Sequence, residues 1–347
     1  MQRISQKAAE VKFRERITPQ HLGKTYNFPQ EWTAEQMLEE IKKRLEATKT
    51  DFKNLDKKGI NFSPFLEIGA EYGTRATWLK NHFGAEGIIC DISRDALVAA
   101  HNFAKKLNLG KTPTRICCDG ENLPFAKNSF SFVFCYQTLH HFENPGKLIS
   151  EIIRVTKPDG RFFFSEEPVK QLINLNLWRR PTVLRSFEKL LKSILILPFI
   201  STIGKTESDF GIFEGAFDLR TWEKILSPIN NIGVKLTTYP VEMVSEHVKN
   251  HRTNWINPPL PVKLFIALFG GGITGLAKIE KGESKKKNIP VNSLLICPDC
   301  KLENGEITLK KSLRLLICTR CGRNFKNYSG VWQLLNKKLT KILYVNS

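Results

Sequence analysis

The sequence predicts an α/β fold with a mainly parallel sheet, followed by a smaller unit that contains cysteine pairs. Two observations support this prediction. Between residues 65 and 168, short apolar runs alternate with helical stretches, which is the pattern of repeated strand–helix–strand units. Beyond residue 294 this alternation stops, and two closely spaced cysteine pairs appear in a basic segment.

The chain is basic, with 53 Lys and Arg against 34 Asp and Glu and a formal charge of +19. This surplus favours anionic partners, namely nucleic acid, acidic lipid headgroups or phosphorylated small molecules; a basic surface that only aids solubility is the alternative. The polar N-terminus lacks the apolar core of a signal peptide. The longest apolar run, 260–277, is interrupted by Lys263 and three glycines. We therefore expect a cytoplasmic protein, with peripheral contact at a membrane left open.

The first 60 residues are polar and prone to form helices. Met37, Ile41 and Leu45 recur at a spacing of four, which places them on one face of a helix. Seven apolar runs then predict the seven strands of the sheet. They are PFLEIG, GIICDI, TRICCD, SFVFCYQ, RFFFSEEP, VKLTTYPVEM and GITGLAKIE. The helix GKLISEIIRVTK, before the fifth strand, is expected to end at Pro158 and Gly160.

These patterns divide the chain into four parts. They are a helical segment at 1–60, the α/β domain at 61–280 with an insertion at 169–217, a charged linker at 281–293 and a small β unit at 294–336. The insertion combines basic and apolar residues, which suits an amphipathic acceptor or a membrane surface. An ordinary helix that packs its apolar face on the domain explains the same composition.

A glycine turn follows the first strand and opens a helix. Gly69 allows a sharp turn and close approach to a ligand, and the helix N-terminus offers unpaired N–H groups. Glu67 supplies a carboxylate for the ammonium of an amino-acid moiety. Asp91, at the end of the second strand, can accept hydrogen bonds from ribose hydroxyls.

The order of elements from GIICDIS through CCDGENLPF, SFVFCYQTLHHF and RFFFSEEP resembles class I methyltransferases of the group called type 11. The resemblance covers residues 60–168 well and continues more loosely to residue 280. It implies a Rossmann-like class I methyltransferase fold and S-adenosylmethionine as the cofactor. Nine positions match cofactor-binding positions of that family. They are Glu67, Gly69 and Gly73 for the methionine part, Asp91 and Ile92 for the ribose, Asp119, Gly120 and Glu121 for the adenine, and Gln137 near the sulfonium.

Two features of this motif set leave its chemistry open. The family usually has a glycine where this chain has Glu71, so a carboxylate could narrow the cofactor loop or reshape the substrate side. The pair His140 and His141 follows the fourth strand. Either could act as a general base, or both could be loop histidines that support the fold. The sequence therefore names no catalytic residue.

Four cysteines near the C-terminus predict a zinc site. Two C-x2-C pairs, separated by seventeen residues, have the spacing of tetrahedral zinc in two knuckles. The segment EITLKKSLRLLIC reads as the hairpin that brings the pairs together. Four thiolates leave no open coordination position, so the expected role is structural. The ligands are Cys297, Cys300, Cys318 and Cys321.

The whole C-terminal segment, ending in YSGVWQLL, resembles Trm112-like zinc ribbons, which usually precede a methyltransferase or form a separate subunit. A protein partner bound through the ribbon is thus one expectation. The leading functional hypothesis is methylation of a small-molecule or lipid-linked acceptor. The alternatives are an RNA methyltransferase that binds its substrate through the basic ribbon, and a catalytically weak scaffold with a cofactor loop impaired by Glu71.

Overall fold

The computed structural model describes residues 2–24, 33–170, 217–238, 241–250, 254–282, 294–312 and 315–344. The predicted insertion at 169–217 and linker at 281–293 lie almost wholly outside these ranges, and the domain boundaries stay a prediction. The chain forms two compact units. One comprises Met1–Cys135, Ser150–Phe162 and Ile279–Ser347, and the other Tyr136–Ile149 and Phe163–Lys278. Among the described helices, none has both the length and the apolar character that crossing a membrane requires.

Two helices open the first unit, α1 (Gln2–His21) and α2 (Ala34–Lys57). Helix α2 begins at a capping box, in which Thr33 and Gln36 exchange hydrogen bonds between side chain and backbone. Its buried face includes Met37, Ile41 and Leu45, which confirms the predicted apolar face.

Four parallel strands form the centre of the first unit. They are β1 (Phe65–Ile68), β2 (Gly87–Asp91), β3 (Thr114–Cys117) and β4 (Phe130–Tyr136). β1 lies between β2 and β4, and β2 pairs with β3. Helix α3 (Thr74–Phe83) follows β1, and α4 (Arg94–Lys106) follows β2. This is the repeated strand–helix pattern that the apolar runs predict.

The boundary after α5 (Pro145–Val155) differs from the prediction. The helix ends at Val155, and Pro158 and Gly160 lie inside β5 (Thr156–Val169). Pairing with a distant segment explains the difference. The N–H of Asp159 donates to the carbonyl of Ile279, and the N–H of Ile279 donates to the carbonyl of Gly160, each at 2.9 Å. A strand partner more than a hundred residues away cannot be read from local proline and glycine signals.

The second unit contains an antiparallel group. Its elements are α6 (Leu219–Leu226), β6 (Asn231–Thr238), β7 (Val244–Val248), α7 (Leu260–Phe269) and β8 (Gly271–Lys278). Strand β6 lies between β7 and β8 and is antiparallel to both. The two strands predicted in this region are found as β6 and β8, although β6 begins at Asn231, before the predicted run, and ends at Thr238.

The C-terminal segment folds as a small antiparallel group joined to the first unit. It contains α8 (Pro298–Asn304), β9 (Leu309–Ser312), β10 (Leu315–Cys318), β11 (Asn324–Tyr328), β12 (Val331–Gln333) and α9 (Lys337–Leu343). Strands β9 and β10 form the expected hairpin. Strand β12 pairs in parallel with β3, so the order in this unit is β4-β1-β2-β3-β12-β11-β10-β9.

The prediction of seven mainly parallel strands is therefore wrong in number and direction. Within the described ranges there are twelve strands, with both parallel and antiparallel pairs. Strand β7 escaped prediction because Val244 and Val248 are exposed, so the strand has no continuous apolar run. The four C-terminal strands were expected to form a separate ribbon. Instead, β12 pairs with β3 and supplies hydrogen-bond partners for the N–H and C=O groups along that side of β3.

Candidate cofactor site and metal centre

Three carboxylates lie at the carboxyl ends of neighbouring strands. Glu67 is the last residue but one of β1, Asp91 ends β2, and Asp119 follows β3 by two residues. Because β1, β2 and β3 are parallel neighbours, these ends share one edge of the sheet. In open α/β sheets, this edge is where ligands bind.

The turn after β1 has the backbone that the glycines predict. Gly69 and Gly73 have positive φ angles of 66° and 58°. A Cβ on Gly73 would lie 2.4 Å from Ile89 Cδ1, so a side chain at this position would require Ile89 to move. Glu71 also has a positive φ, 50°. Its N–H donates to Asp91 Oδ2 at 2.8 Å, so the loop keeps a tight turn despite the missing glycine.

The two acids nearest this turn differ in charge state. Burial raises the pKa of Asp91 to about 6. The N–H of Ser93, which donates to Oδ1 at 2.8 Å, lowers this pKa and opposes the effect of burial only in part. Burial raises the pKa of Glu67 to about 8, and Arg75 opposes this shift only in part. Only 1% of Glu67 is exposed, and its Oε2 accepts from the N–H of Ala76 at 3.2 Å.

Two cations of α1 contact this group of acids, and sequence reasoning missed both. Lys7 Nζ lies 2.6 Å from Asp119 Oδ2 and 2.9 Å from Glu121 Oε2. Arg14 forms an ion pair with Glu71. A spacing of seven residues puts Lys7 and Arg14 on one face of α1, but nothing local in the sequence tells which surface that face meets.

The pair between Arg14 and Glu71 is half-buried, and each partner holds the other charged. Burial lowers the pKa of Arg14, but Glu71 and then Glu10 outweigh it, so the pKa lies well above the usual value. Burial likewise raises the pKa of Glu71, but Arg14 outweighs it and holds that pKa below its usual value. Glu71 is thus a carboxylate in the free protein.

The predicted adenine-binding residues form one short helical turn, Gly120–Asn122. Asp119 caps this turn, and its Oδ1 accepts from the N–H of Glu121 at 3.1 Å. Ile92, beside Asp91, is half-buried. The structure thus brings together, in the first unit, eight of the nine predicted cofactor positions.

The remaining candidates lie in the second unit. Gln137 is exposed and has a positive φ of 48°. His140 is buried, and its Nδ1 lies 2.8 Å from Glu167 Oε2. His141 is half-buried, and its ring centroid lies 4.2 Å from that of His140.

Glu167 is a further candidate that sequence reasoning missed. It is fully buried, and its two oxygens accept from the N–H groups of Thr138 at 2.7 Å, Leu139 at 2.9 Å and His140 at 3.2 Å. A carboxylate is an acceptor only, so Nδ1 of His140 carries the proton and donates to it. This contact fixes the tautomer of His140 and leaves Nε2 as the basic ring nitrogen.

The four C-terminal cysteines converge and can hold a metal ion. Their Sγ atoms all lie within 4.8 Å of one another. Cys297 and Cys321 are separated by 3.8 Å, and Cys300 and Cys318 by 3.7 Å, well beyond the about 2.05 Å of a disulfide. The other cysteines, Cys90, Cys117, Cys118 and Cys135, are buried and lie outside this cluster.

Comparison with known proteins finds methyltransferases that are similar to the central part of the chain. Residues 66–164 match the model of a methyltransferase domain, Methyltransf_11. The uncharacterized methyltransferase YcgJ of Bacillus subtilis is 32% identical over 35% of this chain and 49% of its own length. A demethylmenaquinone methyltransferase of Paenarthrobacter aurescens is 24% identical over 66% of this chain and 74% of its own length.

The solved structure of YcgJ from Bacillus subtilis covers 66% of this chain and 98% of its own, with 19% identity and a TM-score of 0.39. In sequence, the chain spans only about half the length of YcgJ. The family match itself coincides with β1 through the middle of β5, and it contains the three strand-end acids, the glycine turn and the histidine pair. Over residues 66–164, the chain is therefore similar to methyltransferase domains of this family.

Proposed function

We propose that the chain is an S-adenosylmethionine-dependent methyltransferase that acts on a small-molecule or lipid-linked acceptor. The observation that supports it most is the row of Glu67, Asp91 and Asp119 along one sheet edge, beside a turn at Gly69 that admits close approach. An acid for the ammonium, one for the ribose and one for the adenine amino group match the three hydrogen-bond-donating parts of this cofactor.

The cofactor would supply an activated methyl group, and the chain's task would be to align the acceptor with it. Asp91 would accept hydrogen bonds from the ribose hydroxyls, and Asp119 from the adenine amino group. Glu71 does not spoil this arrangement, because its backbone N–H orients the Asp91 carboxylate while its side chain turns to Arg14. This argues against the scaffold hypothesis.

Where the acceptor carries a proton, its removal needs a general base, for which His140 and His141 stay the candidates. Glu167 holds the proton on Nδ1 of His140, so Nε2 is the basic nitrogen of that ring. An acceptor that is already a free nucleophile needs no such base.

We also propose that the cysteine cluster binds a structural zinc ion. Four thiolates about 2.3 Å from a central ion stand about 3.8 Å apart in a tetrahedron. The separations of 3.8 Å and 3.7 Å across the two cysteine pairs fit that figure. With four protein ligands, no position is left for substrate, so the ion would stabilise the fold.

The acceptor class rests on the second unit and on a relative. Helix α7 exposes Leu260, Leu264 and Leu268 at a spacing of four, which forms an apolar stripe. Such a stripe suits an apolar acceptor or contact with a membrane surface. Of the two relatives described above, the demethylmenaquinone methyltransferase matches over the larger share of this chain. Its name gives demethylmenaquinone, a small molecule, as its acceptor.

Calorimetric titration with S-adenosylmethionine and S-adenosylhomocysteine tests the core of the proposal. Micromolar binding is expected, and Asp91→Ala should abolish it. Asp95→Ala is the matched control, because this acid, exposed by 42%, lies on α4 outside the strand-end row. If well-folded, metal-loaded protein binds neither ligand, the proposal is wrong.

An RNA acceptor remains the second candidate because of the basic C-terminal segment, which has fourteen Lys and Arg against four acids from residue 281 onward. RNA binding whose affinity falls steeply as salt is raised would favour it. Methyl transfer to an extracted lipid fraction, without RNA binding, would favour the lipid-linked acceptor.

A further inference from the structure

We propose that the C-terminal segment positions the cofactor-binding loops, with Tyr344 as the positioning residue for the ribose loop. This inference rests on the proposed function. The ribose loop is the turn from Asp91 to Arg94, between β2 and α4. The adenine loop is the turn 119–123 after β3. Both loops hydrogen-bond to residues beyond 297, more than 170 positions away in sequence.

Tyr344 bridges the backbone of the ribose loop through a single hydroxyl. This hydroxyl donates to the carbonyl of Ile92 and accepts from the N–H of Arg94, each at 2.8 Å. The side chain is buried, with 5% of the residue exposed. The N–H of Arg94 is one of the first N–H groups of α4, which have no partner inside the helix. Tyr344 therefore fixes the backbone on both sides of Ser93, the residue whose own N–H orients the Asp91 carboxylate.

The side chain of Arg94 is held by the same segment. Its guanidinium lies between two rings, 4.4 Å from the centroid of Tyr328 and 4.5 Å from that of Tyr344. It also donates to Gln333 Oε1 at 3.0 Å. Strands β11 and β12 and the residue after α9 thus hold one side chain of the ribose loop, and stacked cations of this kind resist displacement.

The adenine loop is held from the first cysteine knuckle. Asn122 Nδ2 donates to the carbonyl of Pro298 at 3.0 Å, and Lys301 Nζ donates to Asn122 Oδ1 at 3.1 Å and to the carbonyl of Leu123 at 3.3 Å. Pro298 and Lys301 directly follow the knuckle cysteines. Asn122 is buried, so these bonds are shielded from water.

The two sets of contacts connect the cysteine cluster to the cofactor site without any direct contact between metal and ligand. A metal ion that orders the knuckle would also order the loop that carries Asp119, and cofactor binding would in turn favour the metal-bound state, because such coupling is reciprocal. The segment would then set cofactor affinity in addition to stability.

The test is the affinity for S-adenosylhomocysteine of Tyr344→Phe, measured by calorimetry on the full, metal-loaded chain. Loss of the bridging hydroxyl should weaken binding about fivefold or more, since a buried hydrogen bond contributes on the order of 1 kcal/mol. Tyr328→Phe is the matched control, because it alters the same guanidinium stack but leaves both hydrogen bonds of the ribose loop in place. Affinity of Tyr344→Phe equal to that of this control would overturn the inference.

Amide hydrogen exchange separates positioning from general destabilisation. In Tyr344→Phe, exchange at Ser93 and Arg94 should accelerate while the midpoint of thermal unfolding stays near that of the control. Lys301→Met provides a second variant, on the adenine loop, and should weaken binding in the same direction. Normal affinity of Lys301→Met contradicts the role given to the segment at the adenine loop, whereas a native chain that binds no cofactor contradicts the proposed function instead.

Discussion

The environments of Glu67 and Asp91 give two neighbouring strand-end carboxyls different charges near neutral pH. Burial raises the pKa of Glu67 to about 8 and that of Asp91 to about 6. Near neutral pH, the first is therefore mostly protonated in the free protein and the second mostly ionised. Asp91 is ready to accept hydrogen bonds from hydroxyl groups, whereas Glu67 becomes a carboxylate only when a cation compensates its burial.

Binding of S-adenosylmethionine should release a proton from Glu67 at about pH 7, because the cofactor's ammonium favours the ionised carboxylate. The measurement is calorimetry in buffers of different ionisation enthalpy, which gives the number of protons released. Glu67→Gln keeps the shape of the side chain and should remove this release. An observed enthalpy that does not change with the buffer would contradict the assignment.

The affinity for S-adenosylhomocysteine should rise as pH increases from about 5 to 7, through the pKa of Asp91 at about 6. The affinity rises with pH because ribose hydroxyls donate to the ionised carboxylate of Asp91. At the acid end of this range, Asp91 is protonated and must lose that proton before it can accept these hydrogen bonds. Asp91→Asn should bind more weakly and show no inflection near pH 6. A native profile that is flat across this range would refute the role given to Asp91.

At the scale of elements, helix α1 contributes two cations to the proposed cofactor site. The sequence indicates a polar helical segment with no assigned role, yet Lys7 contacts Asp119 and Glu121, and Arg14 pairs with Glu71. Glu71, at a position where the resembled family usually has glycine, thus has a partner on α1.

Lys7→Met should tighten binding of S-adenosylhomocysteine, by about threefold to tenfold. The ammonium of Lys7 occupies the Asp119 carboxylate that the adenine amino group would use, and its loss removes that competition. The control is Lys12→Met, at an exposed position of the same helix. Weaker binding by Lys7→Met, with Lys12→Met unchanged, would instead make Lys7 part of the binding site.

The sequence predicts features that depend on local residues, and it does not predict features that depend on partners distant in sequence. Strands β1–β4 and the glycine turn are set by local apolar runs and by Gly69 and Gly73, so they were predicted correctly. Strand β7, the end of α5 and the role of Glu167 depend on partners that are distant in sequence, and were missed or misplaced. The same holds for Lys7, whose partners lie 112 and 114 positions away.

At the scale of the whole molecule, the pairing of β12 with β3 joins the cysteine segment to the parallel strands of the first unit. It aligns Val331 with Arg115, Trp332 with Ile116 and Gln333 with Cys117. The N–H of Leu334 extends this contact to the carbonyl of Cys117 at 2.8 Å. The segment expected to be an appended ribbon is therefore a structural part of the first unit.

Removal of the metal should lower the unfolding midpoint by more than about 10 °C, because structural zinc sites contribute on the order of 10 kcal/mol. The transition that shifts should be the main one, since the cysteine segment shares a sheet with the core. Differential scanning calorimetry with and without a chelator tests this, and Cys90→Ser, at a buried thiol outside the cluster, is the comparison. A small separate transition, with the main one unmoved, would mean that the segment unfolds on its own.

The three-residue contact between β12 and β3 also has a consequence for assembly. Between separate chains, so short a pairing would be sensitive to dilution. Here both strands belong to one polypeptide, so the contact forms at an effective concentration on the order of millimolar, whatever the protein concentration. The cysteine segment is therefore present at one copy per sheet and stays associated when the protein is scarce.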